Sequence, residues 1–405
     1  MATLGIDFGT SNSAVGTGGD LIAVEGAALT LPTAVFFDFD TRRPVYGQAA
    51  HHALIEGREG RYMRALKSLL GTAVMRERRA ILNERIDFVT IVGRFLAELK
   101  RRAEAQTGQR FDHALSGRPV RFHSEDARRD AQALVDLTDC YAAAGFERVD
   151  FMPEPEAAAL GARDALSPGD LGLVVDIGGG TSDFTVFRNA GAGIDILASH
   201  GVRIGGTDFD RALSLAHVMP LFGMGSRIRH VFGAETHLAP NAVFSDLATW
   251  QKIPFLYDGA TRRSAQELAQ SAVKPARFAR LVRVLEDEIG HDVAFAVEAG
   301  KIAANGAAAA RIDLSVVERG LEEPLDATHL RAGLGDTAGR IADAAEAACA
   351  AAHVAPGAVQ KLIYVGGTSL MRVVSDAVEG RFPGADAHRG AALTGVAAGL
   401  ALAAG

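Results

Sequence analysis

The opening residues alternate like a short strand, a tight turn and a returning strand. Leu4-Gly5-Ile6-Asp7-Phe8 supplies the first strand, Gly9-Thr10-Ser11-Asn12 the turn, and residues 13–16 the return. Further short strands are expected at 21–24 and 33–37. Residues 62–70 and 75–82 read as charged helical segments, and 91–104 set Ile91, Phe95, Leu96 and Leu99 on one helical face. A strand is expected at 120–122, then a helix running to about residue 144 that Ser124 can cap. In the middle of the chain the opening pattern returns: Leu173-Val174-Val175-Asp176-Ile177 predicts a strand, Gly178-Gly179-Gly180-Thr181-Ser182 a turn, and 183–187 the return. An Asp-x-Gly hairpin that occurs twice predicts an internal duplication into two similar lobes. Residues 210–305 are expected to be mostly helical. An apolar strand at 361–365 ends at Gly366-Gly367-Thr368, a helix follows over 369–379, and 391–404 predict a closing helix of small residues.

At 405 residues the chain is long enough for two or three domains of roughly 150 residues. With 48% hydrophobic and 22% charged residues it belongs among globular proteins, and it needs no disulfide or metal staple. The formal charge of −7 implies no general affinity for nucleic acid or an anionic membrane. Cys140 and Cys349 stand far apart without a CxxC partner, which excludes a disulfide scaffold or zinc ribbon and fits a reducing cytosol. The N-terminus lacks the basic and apolar regions of a signal peptide, and the apolar tail at 391–405 is too short to span a bilayer, so a cytoplasmic protein is expected. Six lysines stand against thirty-six arginines, so each lysine near a motif draws notice.

Both hairpin turns carry the chemistry that polyphosphates need. Glycines let backbone N–H groups come close to phosphate oxygens, and Thr10, Ser11, Thr181 and Ser182 add hydroxyls. Each strand also ends in a carboxylate, Asp7 or Asp176. Carboxylates beside phosphates repel unless a divalent cation lies between them, and magnesium, which keeps its waters and takes few direct ligands, suits the arrangement. His51-His52 has no acidic or cysteine partner at ligand spacing and reads as a solvated pair.

These motifs resemble the ATPase part of the DnaK-type heat-shock chaperones, in the superfamily of actin, sugar kinases and heat-shock ATPases. Residues 5–13 resemble that family's first phosphate motif and 176–183 its second. Pro153-Glu154-Pro155-Glu156-Ala157-Ala158-Ala159-Leu160 resembles the helix connecting the lobes, Ile204-Gly205-Gly206-Thr207 the segment after the second hairpin, and Val365-Gly366-Gly367-Thr368 the adenosine motif. The resemblance implies an α/β, two-lobed actin-like (ribonuclease H-like) fold with a nucleotide cleft between duplicated lobes. Residues 1–170 would form lobe I, with a helical subdomain at about 38–115; residues 171–405 would form lobe II, with a mostly helical one at about 210–305.

The roles it implies are specific. Asp7 and Asp176 hold hydrated Mg2+, Glu154 bonds its water shell, and Asp183 organises ions and water. Lys67 stabilises the attacking water and the transferring phosphate. ATP or ADP is held by Gly9, Thr10, Ser11, Asn12, Gly178, Gly179, Gly180 and Thr181 at the phosphates. Gly205 and Gly206 also bind the nucleotide, and Glu298, Lys301, Ile302, Gly366, Gly367, Thr368 and Leu370 surround the nucleoside. Ile302 and Leu370 depart from the family, which places adenine-clasping arginines there. The chain also stops at Gly405, where a DnaK-type chaperone continues into a peptide-binding domain, a pattern shared with the shortened YegD-like group. The expected activity is slow ATP hydrolysis coupled to lobe closure, with a protein partner and neither nucleic acid nor membrane. The alternative is a switch that holds nucleotide without hydrolysing it and acts through its partner.

Overall fold

Leu4, Ile6 and Phe8 are fully buried, so the alternation at the start of the chain does form a strand. The computed structural model describes residues 2–123, 126–191, 193–229, 235–307, 309–390 and 392–405. The chain divides into two compact units. The first comprises Met1–Arg203, Asp343–Leu370 and Glu379–Gly405, and the second Ile204–Ala342 and Met371–Val378.

The first unit holds two sheets built on one plan. One consists of β1 (Ala2–Phe8), β2 (Asn12–Thr17), β3 (Asp20–Ile22), β4 (Phe111–Arg118) and β5 (Arg148–Pro153), in the order β5-β4-β1-β2-β3, with Thr30–Pro32 beside β2. The other consists of β6 (Leu171–Ile177), β7 (Ser182–Asn189), β8 (Ile194–Val202), β9 (Lys361–Val365) and β10 (Asp386–His388), in the order β8-β7-β6-β9-β10. In each sheet three antiparallel strands follow one another along the chain, and two parallel strands are added beside the first of them. The two Asp-x-Gly hairpins therefore start two sheets of the same topology, as the internal repeat predicts.

Four helices of this unit matter for the site: α1 (Phe88–Thr107), α2 (Ala127–Ala143), α3 (Glu154–Gly161) and α4 (Gly395–Ala403). Asp87 caps α1 by accepting the Thr90 N–H, and Gly108 ends it in the left-handed region. The expected face of Ile91, Phe95, Leu96 and Leu99 is buried, in one core with Leu4, Ile6, Phe8, Leu137 and Tyr141. Asp126 caps α2 through the N–H groups of Arg128 and Arg129; Ser124, the expected cap, lies outside the described residues. The expected closing helix is present as α4. Its glycines let it lie directly on α3: a Cβ on Gly399 would collide with the Ala157 carbonyl, and one on Gly161 with the carbonyl of Gly395.

Local pattern and structure part at two places. Residues 62–82 form no α-helix. Gly60–Arg64 pairs with Ala34–Asp38 in a small sheet, Leu66–Leu69 and Ala73–Arg76 are single 3-10 turns, and Arg79–Ile81 and Glu84–Ile86 form a hairpin. Pairing with a distant strand outweighs local helix propensity. Leu82 and Asn83 both take positive φ, as a two-residue hairpin turn requires. The strand expected at 120–122 lies earlier, at β4, because Pro119 has no N–H to continue a ladder.

In the second unit, Gly206–Leu213, Gly259–Ser271, Pro275–Glu286 and Gly290–Gly306 supply the expected helical region. Phe278, Leu281, Val284 and Leu285 repeat at helical spacing and are buried. The unit also holds the two-stranded pairs Arg227–Arg229 with Thr236–Leu238 and Ala310–Asp313 with Glu322–Leu325, and most of the long helix Ala327–Ala351.

Candidate active site

Asp7 and Asp176 occupy the same place in their strands. Each is the second-to-last residue, partly open between buried neighbours. In β1 Asp7 stands opposite Ala14 of β2, whereas in β6 Asp176 stands opposite Asp183 of β7, so the second hairpin carries two facing carboxylates. Gly201 of β8 is paired with Asp183, and a Cβ there would come within 2.6 Å of Asp183 Oδ1.

The two turns are brought together. A Cβ on Gly179 would lie 2.8 Å from Ser11 Oγ, so the first turn's hydroxyl sits against the second turn's backbone. Ser11 is held there by its carbonyl, which accepts the Thr33 N–H at 2.8 Å. The second turn closes with the Gly178 N–H donating to the Thr181 carbonyl at 2.9 Å. At Gly9 a side chain would strike the Asn12 carbonyl, so only glycine fits the first turn. Ser11, Asn12, Gly180 and Thr181 face solvent, and Gly9, Thr10, Gly178 and Gly179 are partly buried.

The late Gly-Gly-Thr motif reaches the same place. Gly366, at φ +80°, packs on the end of β6, where a Cβ would collide with the Ile177 carbonyl and come within 3.2 Å of Asp176 Oδ1. Thr368 donates from Oγ1 to the Gly178 carbonyl at 3.3 Å. Gly367 and Leu370 are exposed, Leu370 at 36%.

Lys67 and Glu154 come from different elements and meet. The Leu66–Leu69 turn follows Ala65, which holds a left-handed φ of 56°, and Glu154 opens α3 after Pro153. The Lys67 ammonium donates to Glu154 Oε1 at 2.6 Å, with both side chains 12% exposed. Glu154 can lie this close because Gly117 of β4 has no side chain; a Cβ there would be 3.2 Å from Glu154 Cγ.

The electrostatics follow from four carboxylates facing one cation. Burial pushes Asp7 up to about 7, Glu154 adds to the rise, and Lys67 opposes it. Burial, then Glu154, Asp183 and Asp7, hold Asp176 well above the usual carboxylate range. Asp183 is raised to about 6 by burial and Glu154, against a hydrogen bond from the Thr181 side chain. Burial works against the charge of Lys67, but Glu154, Asp7 and Asp176 outweigh it and hold the ammonium above the ordinary lysine range. Among the described residues no three His, Cys, Asp or Glu side chains converge closely enough to ligate a metal directly. Half-buried carboxylates with raised proton affinity fit a hydrated divalent cation, which needs few direct protein ligands.

Gly205, Gly206, Glu298, Lys301 and Ile302 belong to the second unit. The Gly205 N–H donates to Asp208 Oδ2 at 2.9 Å at the start of the Gly206–Leu213 helix. On the Gly290–Gly306 helix Lys301 is buried and paired with Asp210 at 2.7 Å, Glu298 is half-buried, and Ile302 is 62% exposed.

Local reading of the sequence misses Gly117, Gly201 and Gly399, which make room for Glu154, Asp183 and α3. Only Gly399 leaves a trace, since Gly395 and Gly399 fall one helical turn apart in a run of small residues. A family model described as Hsp70 protein matches residues 3–230 of the chain.

Proposed function

Because the chain belongs to the Hsp70 family and carries its actin-like α/β fold, we propose that it binds ATP as a magnesium complex at the paired turns and hydrolyses it slowly. Family membership makes it an Hsp70-like, ATP-binding, chaperone-related protein. The finer roles are those that the resemblance implies for these residues. The N–H groups of Gly9, Thr10, Ser11, Asn12, Gly179, Gly180 and Thr181 donate to phosphate oxygens, with the Thr10 and Thr181 hydroxyls alongside, while Gly178 keeps the second turn closed through its bond to the Thr181 carbonyl. Asp7 and Asp176 hold Mg2+ through water, and Glu154 accepts from its water shell. The metal supplies positive charge between those carboxylates and the phosphates. Lys67 donates to the attacking water and to the oxygens that gain charge as the phosphoryl group leaves, which is where positioning and electrostatics govern this reaction. Asp183 orders water beside Asp176.

The nucleoside side of the reading assigns Glu298 and Lys301 to the ribose, and Gly366, Gly367 and Thr368 to the adenosine. Ile302 of the second unit and Leu370 of the first take the positions at which the family carries its adenine-clasping arginines. Lobe boundaries near residue 170, closure on nucleotide, a protein partner and a cytoplasmic setting complete the proposal. Both cysteines are buried free thiols, which suits a reducing compartment. No helix among the described residues is long and apolar enough to cross a membrane.

The observation that carries the reading is Ser11 lying against Gly179, which puts two glycine turns and their aspartates at one place. Calorimetric titration with ATP and ADP, with and without magnesium, tests it. Binding is expected only with the metal, and equal binding in chelator refutes the metal-bridged site. Tight binding without any turnover in the same preparation would favour the non-hydrolysing switch.

A further inference from the structure

We propose that Asp136 is a positioning residue for Lys67, a claim that rests on the catalytic reading of that lysine given above. Asp136 lies on α2 and is 1% exposed. A buried carboxylate is costly unless its oxygens are matched by donors, and two of the three donors here, Gly71 and Arg76, belong to the loop that carries Lys67, while Gln132 lies on α2 itself. Asp136 Oδ2 accepts the Gly71 N–H at 2.9 Å, and Oδ1 accepts from Arg76 Nη2 at 2.7 Å and Gln132 Nε2 at 2.9 Å. One side chain thus grips the loop at two points, four and nine residues past Lys67.

A second tie sits beside the first. His123 donates from Nε2 to the Leu70 carbonyl at 2.7 Å, so the peptide between Leu70 and Gly71 is held at both its oxygen and its nitrogen. Gly71 takes φ +78° and has no room for a Cβ against the Arg129 carbonyl of α2. Leu66 and Leu70 are buried on either side of Lys67. At the other end Ala65 holds a left-handed conformation uncommon for a residue with a Cβ, so the turn is kept by its contacts rather than by local preference. Asp136 does not touch the Lys67 ammonium. It fixes the backbone from which that ammonium reaches Glu154.

A purely structural Asp136 would slow hydrolysis to the same degree whether or not Lys67 is present. A positioning Asp136 acts only through Lys67. Single-turnover hydrolysis and Mg-ATP titration are therefore measured on the full chain for Asp136→Ala, Asp136→Asn, Lys67→Ala and the Asp136→Ala/Lys67→Ala double variant. Asp136→Ala should hydrolyse about 10- to 100-fold more slowly, the scale that misplacing a catalytic group produces, while binding Mg-ATP within about threefold of wild type. Asp136→Asn keeps a carbonyl for the Gly71 N–H but turns an NH2 toward Arg76 and Gln132, so its rate should fall between those of Asp136→Ala and wild type. In the Lys67→Ala background Asp136→Ala should add less than about a twofold effect.

Amine-reactive labelling followed by mass spectrometry supplies a readout that needs no turnover, since the chain has only six lysines. Lys67 should label several-fold faster in Asp136→Ala, with the other five unchanged. Arg76→Ala releases the second grip from a half-exposed position and should shift the same two readouts in the same direction if Asp136→Ala does not fold. Slowing that multiplies with Lys67→Ala, or unchanged Lys67 labelling, overturns the inference. If Lys67→Ala is slow and Asp136→Ala is not, the inference alone fails. If Lys67→Ala matches wild type, the catalytic reading falls and takes the inference with it.

Discussion

Replacing Lys67 by alanine removes the ammonium that faces Asp7, Glu154, Asp176 and Asp183. Its ion pair with Glu154 is 2.6 Å long and only 12% exposed on each side, so the charge acts where water screens it weakly. If it stabilises charge that develops on the phosphate, its loss should slow hydrolysis by about 10²–10³-fold, or about 2.7–4 kcal/mol of barrier. Mg-ATP affinity should change by less than about tenfold, because the turn amides and the metal still hold the phosphates and the lost contact belongs mainly to the transition state. The nucleotide-free fold should respond separately. Breaking a fully buried pair costs about 3–5 kcal/mol, and here partial exposure reduces the loss to about 1–2 kcal/mol. A single-turnover assay beside a binding titration and a guanidinium curve measures all three. Wild type and Lys67→Ala hydrolysing at the same slow rate would refute the reasoning and leave a nucleotide-dependent switch.

Stability of the nucleotide-free protein should fall as pH rises from 5 to 8. Asp7 at about 7 and Asp183 at about 6 bind protons more tightly folded than unfolded, so their contribution is complete below the ordinary carboxylate range and is lost as pH passes their folded values. Denaturation curves at both pH values should show a shallower decline in Asp7→Asn, and saturating magnesium should flatten it in wild type; an unchanged slope in the variant refutes the assignment. Gly399→Ala should destabilise by about 2–3 kcal/mol, because its Cβ collides with the Ala157 carbonyl. Gly339→Ala, where a Cβ meets nothing, should be neutral or stabilising by up to about 1 kcal/mol, and chemical denaturation that ranks the two the other way refutes the close packing of α4 on α3. Tyr141→Phe should cost about 1 kcal/mol by removing the buried hydrogen bond to Ser116, and no change in the denaturation midpoint would show that bond to be without net worth.

The chain alone determined the parts of this protein that are written in short stretches. The two Asp-x-Gly hairpins, their glycines and hydroxyls, the buried face of α1 and the small-residue closing helix all depend on neighbours a few positions away, and alternation or helical spacing records them. Lys67 stood out because lysine is scarce in this chain. The tertiary structure decided what depends on residues far apart. The charged stretch at 62–82 reads as helix by itself, yet Gly60–Arg64 becomes a strand because Ala34–Asp38 supplies its hydrogen bonds. Ser11 and Gly179 are neighbours only because two sheets of one topology bring their turns together. The raised proton affinity of Asp7 comes from burial and from Glu154, which lies far along the chain. Gly117, Gly201 and Asp136 carry no local signature, since a missing Cβ or a buried carboxylate gains its meaning from whichever backbone packs against it. Short-range pattern sets which segments can become strand, turn or helix, and close packing between distant segments sets where each charge ends up.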